Sequence, residues 1–276
     1  MQVLKPTFKV GPLSEAKPKS YAHAIIYGYP GSRKTTLAET APGPRLWLNC
    51  DPSGSHVLDW DSGDNIAPRH PDTDQVITQF NYTDGNDWRL LDRIVKSMEA
   101  VGSELSSMVG TVILDTGTYA AKMCDAFILS DTSVKRVVAS GESKMSQPDY
   151  GTHAVLMDKL LGRILALPCH CVVTAHVADK RYTDETGESR TMELPNFIGN
   201  VVGGEAPGAF DLVGFTRLVP DKDNRAGRLL LQVEHGEGRV AKVRTKANRR
   251  FAESTVADPN LTEIFTRILN PTKESA

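Results

Sequence analysis

The fold is most clearly predicted by the segment His23-Ala24-Ile25-Ile26-Tyr27-Gly28-Tyr29-Pro30-Gly31-Ser32-Arg33-Lys34-Thr35-Thr36. A mainly apolar run typical of a buried strand leads into a glycine-containing turn, and residues compatible with a helix follow as far as Thr40. The turn matches the pattern G-x-x-x-x-G-K-[ST] at every fixed position except one, because Arg33 stands where the second glycine is expected. The stretch therefore predicts a strand, a phosphate-binding P-loop and a helix, in that order.

Each residue type in this turn has a chemical reason to be there. Backbone N–H groups of such a loop turn inward around phosphate oxygens, and the following helix directs its positive N-terminus at the same anion. Lys34 would reach the outer phosphates, and the Thr35 hydroxyl would coordinate Mg²⁺. A glycine-containing turn without a ligand is the alternative, and the flanking strand and helix disfavour it. We therefore predict an ATP site made by Gly28, Tyr29, Pro30, Gly31, Ser32, Arg33, Lys34, Thr35 and Thr36.

Arg33 is the departure from the pattern. Glycine at this position lets the helix and the phosphates approach closely, since it has no side chain. An arginine must either point outward or place its guanidinium near the phosphates. We interpret the turn as a variant P-loop that still binds nucleotide.

Composition sets broad limits. A chain of 276 residues with 40% hydrophobic and 24% charged residues is typical of a globular protein with a full core. The net charge of −2 gives no overall attraction to nucleic acid, so any such binding must be local. No apolar stretch approaches the roughly 20 residues of a membrane span, and the N-terminus lacks the core of a signal peptide. These features predict a cytoplasmic protein without a membrane partner.

Cysteine usage agrees with that compartment. The four cysteines are scattered along the chain, which does not suggest a disulfide framework. Cys169-His170-Cys171 invites a zinc interpretation, but a second ligand pair at suitable spacing is missing. We interpret Cys169–Cys171 as the start of a buried strand.

Short apolar runs alternate with helical patterns in the first two thirds of the chain. The predicted strands are His23–Tyr27, Arg45–Cys50, Gln75–Phe80, Thr111–Asp115 and Cys171–Thr174. The predicted helices follow the P-loop and cover Trp88–Ala100, Tyr119–Leu129 and His153–Leu167, with a polar, mobile segment at 130–150. Near-continuous apolar strands separated by helices indicate a mostly parallel sheet covered on both faces.

The pattern changes after residue 176. A polar hairpin is predicted at Arg181–Leu194, followed by strands near Asp211–Leu218, Arg228–Glu234 and Arg239–Arg244, which we expect to add antiparallel strands at the edge of the sheet. A last helix is predicted at Leu261–Leu269. The predicted class is α/β with an extended segment at 1–20, one domain at 21–269 and a frayed tail at 270–276.

A second chemical signal is Val112-Ile113-Leu114-Asp115. An apolar strand that ends in an acid is the second signature of P-loop ATPases, where the carboxylate lies beside the phosphate loop and holds the Mg²⁺ water shell. Alone, such a run is common. Because it follows Lys34 by about 80 residues, Asp115 is a candidate metal residue together with Thr35.

A third signal is Val172-Val173-Thr174-Ala175-His176. A polar side chain at the carboxyl tip of a central strand lies near the point where ligands bind in α/β sheets. His176 could hydrogen-bond the γ-phosphate and report its loss to the following loop. The alternative is a histidine that only caps the strand.

These residues together resemble the RecA-like P-loop ATPases. The P-loop, the Asp115 strand, the Thr174-Ala175-His176 strand end and the late Lys242-Val243-Arg244 carry the resemblance, which covers about residues 20–250. Pro148–Gly151 before the long helix and Gly208–Asp211 before the late strands resemble, in particular, a phage-encoded group of AAA-family proteins associated with single-strand-annealing recombination. The resemblance implies a RecA-like core, use of ATP and Mg²⁺, single-stranded DNA as partner, and assembly into rings or filaments. It also suggests recombination or single-strand-binding proteins of the phage as partners, in the host cytoplasm.

One departure from that family concerns the acid that activates water. The expected Asp-x-Glu-Gly pattern reads Asp51-Pro52-Ser53-Gly54, with serine at the glutamate position. Asp51 could orient the attacking water instead, or it could simply cap a turn. Slow hydrolysis is therefore one expectation.

The segment Arg239–Arg250 is basic, with Arg239, Lys242, Arg244, Lys246, Arg249 and Arg250. Such a run is often only a solvated face. Lys242 and Arg244 alternate on a predicted strand and so share a face, and the resemblance implies that such a Lys-x-Arg reaches the γ-phosphate of a neighbouring subunit. The other cations could contact a DNA backbone, with the hairpin at 181–194 and the stretch Gly199–Gly208 as DNA-facing loops.

The sequence thus predicts an ATPase with catalytic candidates Lys34, Asp51, Asp115, His176, Lys242 and Arg244. A nucleotide-gated DNA-binding module with little hydrolysis is the alternative. A small-molecule phosphotransferase is a third hypothesis, but the residues after His176 resemble neither an arginine-rich lid nor an acceptor pocket.

Overall fold

The computed structural model describes residues 20–53, 56, 58–131, 138–139, 142–183, 185–197, 206–222, 225–244, 251 and 253–270. Three predictions fall largely outside these residues: the extended segment at 1–20, most of the stretch Gly199–Gly208, and the tail at 270–276. No helix in these ranges is long and apolar enough to cross a membrane.

A large sheet runs through the centre of the described chain. Its strands are β1 (His23–Gly28), β2 (Arg45–Asn49), β3 (Asn65–Ile66), β4 (Thr111–Asp115), β7 (His170–Ala175), β10 (Leu212–Val219), β11 (Arg228–Gln232), β12 (Lys242–Val243) and β13 (Thr255–Ala257). Two hairpins stand apart from it, β5 (Val138–Ala139) with β6 (Glu142–Ser143), and β8 (Val177–Thr183) with β9 (Ser189–Pro195).

The strand order across the sheet is β13-β11-β10-β1-β7-β4-β2-β3, with β12 also paired to β10. All pairs from β10 to β3 are parallel, whereas β11, β12 and β13 join by antiparallel pairing. The predicted fold class, α/β with a mostly parallel sheet and antiparallel strands at the C-terminal edge, is confirmed.

Helices cover both faces. They are α1 (Lys34–Ala38), α2 (Gly85–Val101), α3 (Leu105–Met108), α4 (Gly117–Leu129), α5 (Gln147–Ala166) and α6 (Leu261–Leu269). Alternate residues of each strand point to opposite faces. On one face Ile25, Leu114 and Val173 pack with α2, α4 and α5, and on the other Ile26, Ile113 and Val172 pack with α1 and α6. The three-layer arrangement leaves the ends of the strands free to carry a site.

Three sequence predictions are corrected. The strand predicted at Gln75–Phe80 is wrong, since this segment holds only an isolated bridge between Arg69 and Val76. The strand beside β2 is instead β3, where the Asn65 side chain accepts hydrogen bonds from Trp47 Nε1 and Arg45 Nε at 3.0 and 2.8 Å. Two side-chain donors on β2 thus share one polar acceptor on β3. The alternation of apolar and polar residues does not reveal such a pairing.

The second correction concerns α5, which begins at Gln147 and not at His153. The Asp149 carboxylate accepts hydrogen bonds from Ser146 N and Ser146 Oγ, at 2.8 and 2.7 Å. This reciprocal cap starts the helix within the segment that was predicted to be a polar loop, and Pro148 is tolerated because it lies in the first turn. The stretch Pro148–Gly151 is therefore part of the helix and does not precede it.

The third correction concerns β10, which was expected at the antiparallel edge. It is parallel to β1 along Ala24–Gly28, paired with Leu212–Thr216, and so lies beside the P-loop strand. Sequence spacing does not show whether a strand enters a sheet through a hairpin or through a crossover. In addition, ladder pairing covers only Lys242–Val243 of the strand predicted at Arg239–Arg244.

Candidate functional site

The P-loop follows β1 and lies in the middle of the sheet, between β7 and β10. Ser32 N donates to Tyr29 O at 3.1 Å, and Gly31 has a φ of 77°. At Gly28 an added Cβ would lie 2.4 Å from Thr216 Oγ1 and 2.6 Å from Ser32 Oγ, so only glycine fits. Ser32 and Thr216 are themselves hydrogen-bonded at 2.8 Å. The neighbouring strand thus fixes the base of the loop, while Tyr29, Pro30 and Gly31 are exposed at its tip.

Lys34 is folded back over the loop. Its Nζ donates to Gly28 O at 3.1 Å and to Tyr29 O at 3.0 Å, and the side chain is 7% exposed. Burial lowers the pKa of Lys34, while the charges of Asp115 and Asp51 act in the opposite direction. The amine is therefore close to two carboxylates and at the mouth of a turn of backbone amides, the surroundings expected for a lysine that binds a phosphate.

Asp115 is fully buried at the carboxyl end of β4. Thr35 Oγ1 donates to Asp115 Oδ2 at 3.0 Å, and Thr174 Oγ1 donates to Asp115 Oδ1. Burial raises the pKa of Asp115 to about 6, and the two threonine bonds oppose this shift. The predicted metal pair, Thr35 and Asp115, is thus in direct contact although 80 positions separate the two residues.

Asp51 lies just after β2, where its backbone N–H donates to Asp115 O at 3.0 Å. Asp51 Oδ1 accepts from Ser53 N at 2.9 Å and from Ser53 Oγ at 2.8 Å. Its charge raises the pKa of Asp115 and opposes the lowering of the Lys34 pKa. Asp51 therefore caps a turn while its charge acts on Lys34 and Asp115, and its role in activating water stays a prediction.

His176 stands at the tip of β7, half-buried. Its backbone N–H donates to Thr118 Oγ1 at 2.9 Å, and its ring meets the Tyr119 ring edge-on at 5.4 Å between centroids. Burial lowers the pKa of His176, and the charge of Lys34 lowers it further. Both effects disfavour the charged form of the ring, while the charge of Asp51 favours it.

The structure favours one of the two alternatives for Arg33. The residue has a φ of 60° in the left-handed region, and its Nη2 donates to Ala226 O at 2.6 Å, on the turn between β10 and β11. Left-handed backbone is the conformation that glycine adopts most easily, which explains the preference for glycine here. The guanidinium is bound to a neighbouring turn, so it ties the P-loop to the β10–β11 connection.

Sequence reasoning missed a network that joins the P-loop to the β8–β9 hairpin. The Tyr29 hydroxyl donates to Glu193 Oε1, and Arg239 Nε donates to Glu193 Oε2 at 2.7 Å. The Tyr27 hydroxyl donates to Glu193 O at 3.2 Å and to Val240 O at 2.9 Å. Because Glu193 is more than 160 positions from Tyr27 and Tyr29, no local pattern could have revealed it.

Sequence reasoning also missed an aromatic group that contacts the site through the rings of Tyr119 and His176. Tyr82 and Tyr119 contact each other with ring centroids 4.7 Å apart, and Lys122 Nζ lies 4.6 Å from the centroid of Tyr119. Thr118 Oγ1 also donates to Asn196 O at 2.7 Å, which ties the start of α4 to the return of the hairpin. Only the proximity of Tyr119 to Asp115 along the chain hinted at this group.

Lys242 and Arg244 are not brought to this site within one chain. Lys242 is paired with Val213 and Val243 with Leu212, and Leu212 is level with Ala24, four residues before Gly28. The two side chains do share a face, since Lys242 Nζ and Arg244 Nη2 both donate to Gly208 O. Of the other basic candidates, Arg239 joins the Glu193 network, and Lys246, Arg249 and Arg250 lie outside the described residues.

The residues present fit a magnesium nucleotide. Gly28 leaves no room for a side chain at the base of the loop, Lys34 offers ammonium protons at its mouth, and the Thr35 hydroxyl and the Asp115 carboxylate offer the oxygen ligands that Mg²⁺ prefers. Thr36, the last residue of the predicted set, is exposed on α1. The site is thus built by β1, β4 and β7 together.

A family comparison agrees with this geometry, whereas a structural comparison and a sequence comparison add nothing about function. A KaiC-like protein from the hyperthermophilic archaeon Pyrococcus horikoshii OT3 is a structural neighbour, with 13% sequence identity, coverage of 76% of this chain and 77% of that one, and a TM-score of 0.36, which is too distant to inform function. No curated protein sequence matches the chain significantly. The model of the AAA domain family matches residues 20–245, which include every P-loop, Asp115 and His176 contact described above. The chain therefore belongs to the AAA domain family and is an AAA-type P-loop NTPase.

Proposed function

We propose that the protein is an ATPase that acts on single-stranded DNA as a homo-oligomer. The observation that carries the hydrolytic part is the contact of Thr35 Oγ1 with Asp115 Oδ2 beside the buried Lys34 amine. A hydroxyl and a carboxylate suited to a metal ion thus lie near a cation suited to phosphate at one end of the sheet, which supports the proposal. Bound Mg²⁺ would supply charge neutralisation at the phosphates.

The chain's own residues divide the work. Lys34 binds the outer phosphate oxygens, and Asp115 with Thr35 holds the metal. Asp51 orients a water molecule, since its charge acts on both Lys34 and Asp115 and a carboxylate can accept a proton from that water. His176 is held beside Lys34 by Thr118, where a neutral imidazole can hydrogen-bond a phosphate.

Assembly would complete the site. Lys242 and Arg244 lie near the amino end of β10, away from their own P-loop, where both side chains donate to Gly208 O. A cation supplied by a neighbouring subunit can stabilise the charge that develops on phosphoryl transfer. This supports a ring or filament in which each site receives Arg244 from the next copy.

A nucleotide-gated DNA-binding module with little hydrolysis is the second candidate. The observation in its favour is that Ser53 N and Ser53 Oγ both occupy Asp51 Oδ1, which gives that carboxylate a structural task. Under either candidate function the protein would act in the cytoplasm, where ATP is available. The sequence resemblance alone suggests phage-type recombination as the process in which it acts.

One experiment separates the two candidates. ATP turnover is measured with and without an oligothymidylate, alongside the molecular mass in solution. Turnover that rises with the oligonucleotide supports the ATPase. Oligonucleotide affinity that depends on ATP without turnover supports the gated binder, and a monomer that neither hydrolyses ATP nor binds DNA contradicts both.

A further inference from the structure

A concave surface between α2 and α5 carries charge that the nucleotide site does not use. Its volume is about 420 Å³. We name it the α2–α5 groove and define it by its lining residues, which are mostly basic: Trp88, Arg89, Asp92, Arg93, Lys96, Phe127, Leu156, Lys159 and Arg163. None of these belongs to the P-loop or to its contacts described above.

Helical spacing explains why these cations converge. Arg89, Arg93 and Lys96 recur at intervals of four and three along α2, so they lie on one face of that helix. Lys159 and Arg163 recur at an interval of four along α5. The two basic faces border the same cavity, with the ends of their side chains exposed or half-buried.

The acids nearby neutralise this charge only in part. Arg163 pairs with Asp92 and Glu99, Lys96 pairs with Asp92 at 2.7 Å, and Arg93 pairs with Asp72 at 2.6 Å. The lining holds five cations and one acid, Asp92, and when Asp72 and Glu99, which pair from outside the lining, are also counted the net charge is still +2, on a chain whose net charge is −2. Within the described part of the chain, neither Arg89 nor Lys159 has an acidic partner.

The floor of the groove is apolar. Trp88 is buried, Phe127 and Leu156 are half-buried, and the Arg89 guanidinium carbon lies 5.1 Å from the centroid of the Phe127 ring. Because Trp88 is 4% exposed and Arg89 lies over Phe127, this floor supports the cations, and the groove offers a ligand mainly positive charge. A row of phosphates can contact several of these cations at once, which a single free inorganic anion cannot.

We infer that the α2–α5 groove binds the phosphodiester backbone of single-stranded DNA. The inference rests on the proposed function, because it names the surface on which that DNA lies. A single strand presents one row of phosphates to a positively charged groove, which is the geometry found here. The competing surface, the β8–β9 hairpin from 177 to 195, has three basic and five acidic residues, so its charge repels a polyanion.

The test uses the two cations without acidic partners. Arg89→Glu with Lys159→Glu reverses the charge of the groove, and Lys180→Glu with Arg181→Glu is the matched reversal on the exposed hairpin. Binding of fluorescein-labelled oligothymidylate is measured by anisotropy over a range of salt concentrations, together with ATP affinity and mass in solution. Arg89→Gln with Lys159→Gln serves as a gentler pair if the reversal does not fold.

We expect the groove reversal to weaken oligothymidylate binding at least about tenfold and to flatten the dependence of log K on log salt, because each lost phosphate contact removes about one counterion from the slope. ATP affinity should stay unchanged. Unchanged DNA binding in the groove variant, loss only in the hairpin variant, or an oligomer that dissociates while DNA affinity stays would each overturn the groove. So would wild-type protein that binds no oligothymidylate. A groove that binds DNA in protein without turnover would contradict only the ATPase part of the proposed function.

Discussion

Cations lie near both ends of β1 and β10, but the cation at the carboxyl end is buried, and those near the amino end are half-buried or exposed. At the carboxyl end, Lys34 is buried within a network that includes Gly28, Tyr29 and, through their charges, Asp115 and Asp51. Near the amino end, Lys242 and Arg244 share a single backbone acceptor, Gly208 O, at the protein surface. Val243 is level with Ala24, about 13 Å from Gly28 at roughly 3.3 Å per residue.

This difference matters for which subunit each cation can act on. A cation surrounded by fixed partners can serve the chain that contains it, because its position is already set. Within the described residues, Lys242 and Arg244 donate to one exposed carbonyl oxygen, and such a bond at the surface can be exchanged for another acceptor at little cost. The carboxyl end therefore brings its cation and its carboxylates together within one chain, whereas the role proposed above for Lys242 and Arg244 requires a second copy.

The largest effect should come from Lys34→Ala. The loop then loses the amine that lies at its mouth, so we expect ATP binding to be abolished, as measured by titration with a fluorescent ATP analogue. Lys242→Ala, at the other end of the sheet, is the matched control and should leave ATP affinity unchanged. A folded Lys34→Ala variant with undiminished affinity would show that the P-loop assignment is wrong.

Arg244→Ala tests whether Arg244 acts at the nucleotide site of a neighbouring subunit. Removal of a trans cation should lower turnover by about 10³-fold while ATP binding stays nearly intact, since such a cation acts mainly on the transition state. Mixing Arg244→Ala with Lys34→Ala should restore part of the activity, because some interfaces then pair an intact P-loop with an intact Arg244.

The control for this experiment is Arg69→Ala, which removes an exposed arginine that pairs with Asp74. It should leave turnover unchanged. If the two inactive variants co-assemble and the mixture stays inactive, Arg244 has no role across an interface, and the contrast between the two ends disappears.

Asp115→Asn tests the burial of the carboxylate at the carboxyl end through the pH dependence of the free energy of unfolding. In the nucleotide-free protein the pKa of Asp115 is raised to about 6 by burial, from 3.8, so the folded state binds the proton more tightly than the unfolded state. Its contribution to stability is therefore present below about pH 4 and is lost as the pH rises through about 6, with a total of about 3 kcal/mol at most. Urea unfolding of both proteins across this range should show the difference between their free energies of unfolding change by this amount, whereas Asp125, whose pKa burial also raises to about 6, titrates in both.

Bound magnesium nucleotide should reverse the direction of this pH dependence. The metal prefers the ionised carboxylate, so wild-type affinity for Mg²⁺·ATP should fall as the pH drops below about 6. Stability curves of the wild type and Asp115→Asn that run in parallel from about pH 4 to about pH 7 would contradict the assigned burial of this charge.

Arg33→Gly should have the smallest effect. Glycine relieves the left-handed backbone at this position, a gain of about 1 kcal/mol, and loses the bond to Ala226, a cost of similar size. We expect ATP affinity to be retained within about threefold. A loss of more than about 1.4 kcal/mol, which is tenfold, would mean that the guanidinium binds phosphate in the complex.

Much of the fold could be predicted because its signals are local. The run from His23 to Thr36 specifies strand, turn and helix through residues that are adjacent in the chain, and Thr111–Asp115 does so through an apolar run with a terminal acid. The failed predictions depend on distant partners. Asn65 determines β3 through the side chains of Arg45 and Trp47, and no pattern around residue 65 contains that information.

The amino-acid sequence alone predicts the chemistry of the phosphate end, because residue types at fixed spacing suffice for a P-loop with Lys34 and Thr35 and for a strand that ends in Asp115. Which of these residues contact one another depends on the three-dimensional fold. It brought Thr35 and Thr174 to Asp115, tied Arg33 to Ala226 and Tyr29 to Glu193, and kept Arg244 away from its own P-loop. The physical reason is that strand order and register, which arise from packing of the whole sheet, set these distances.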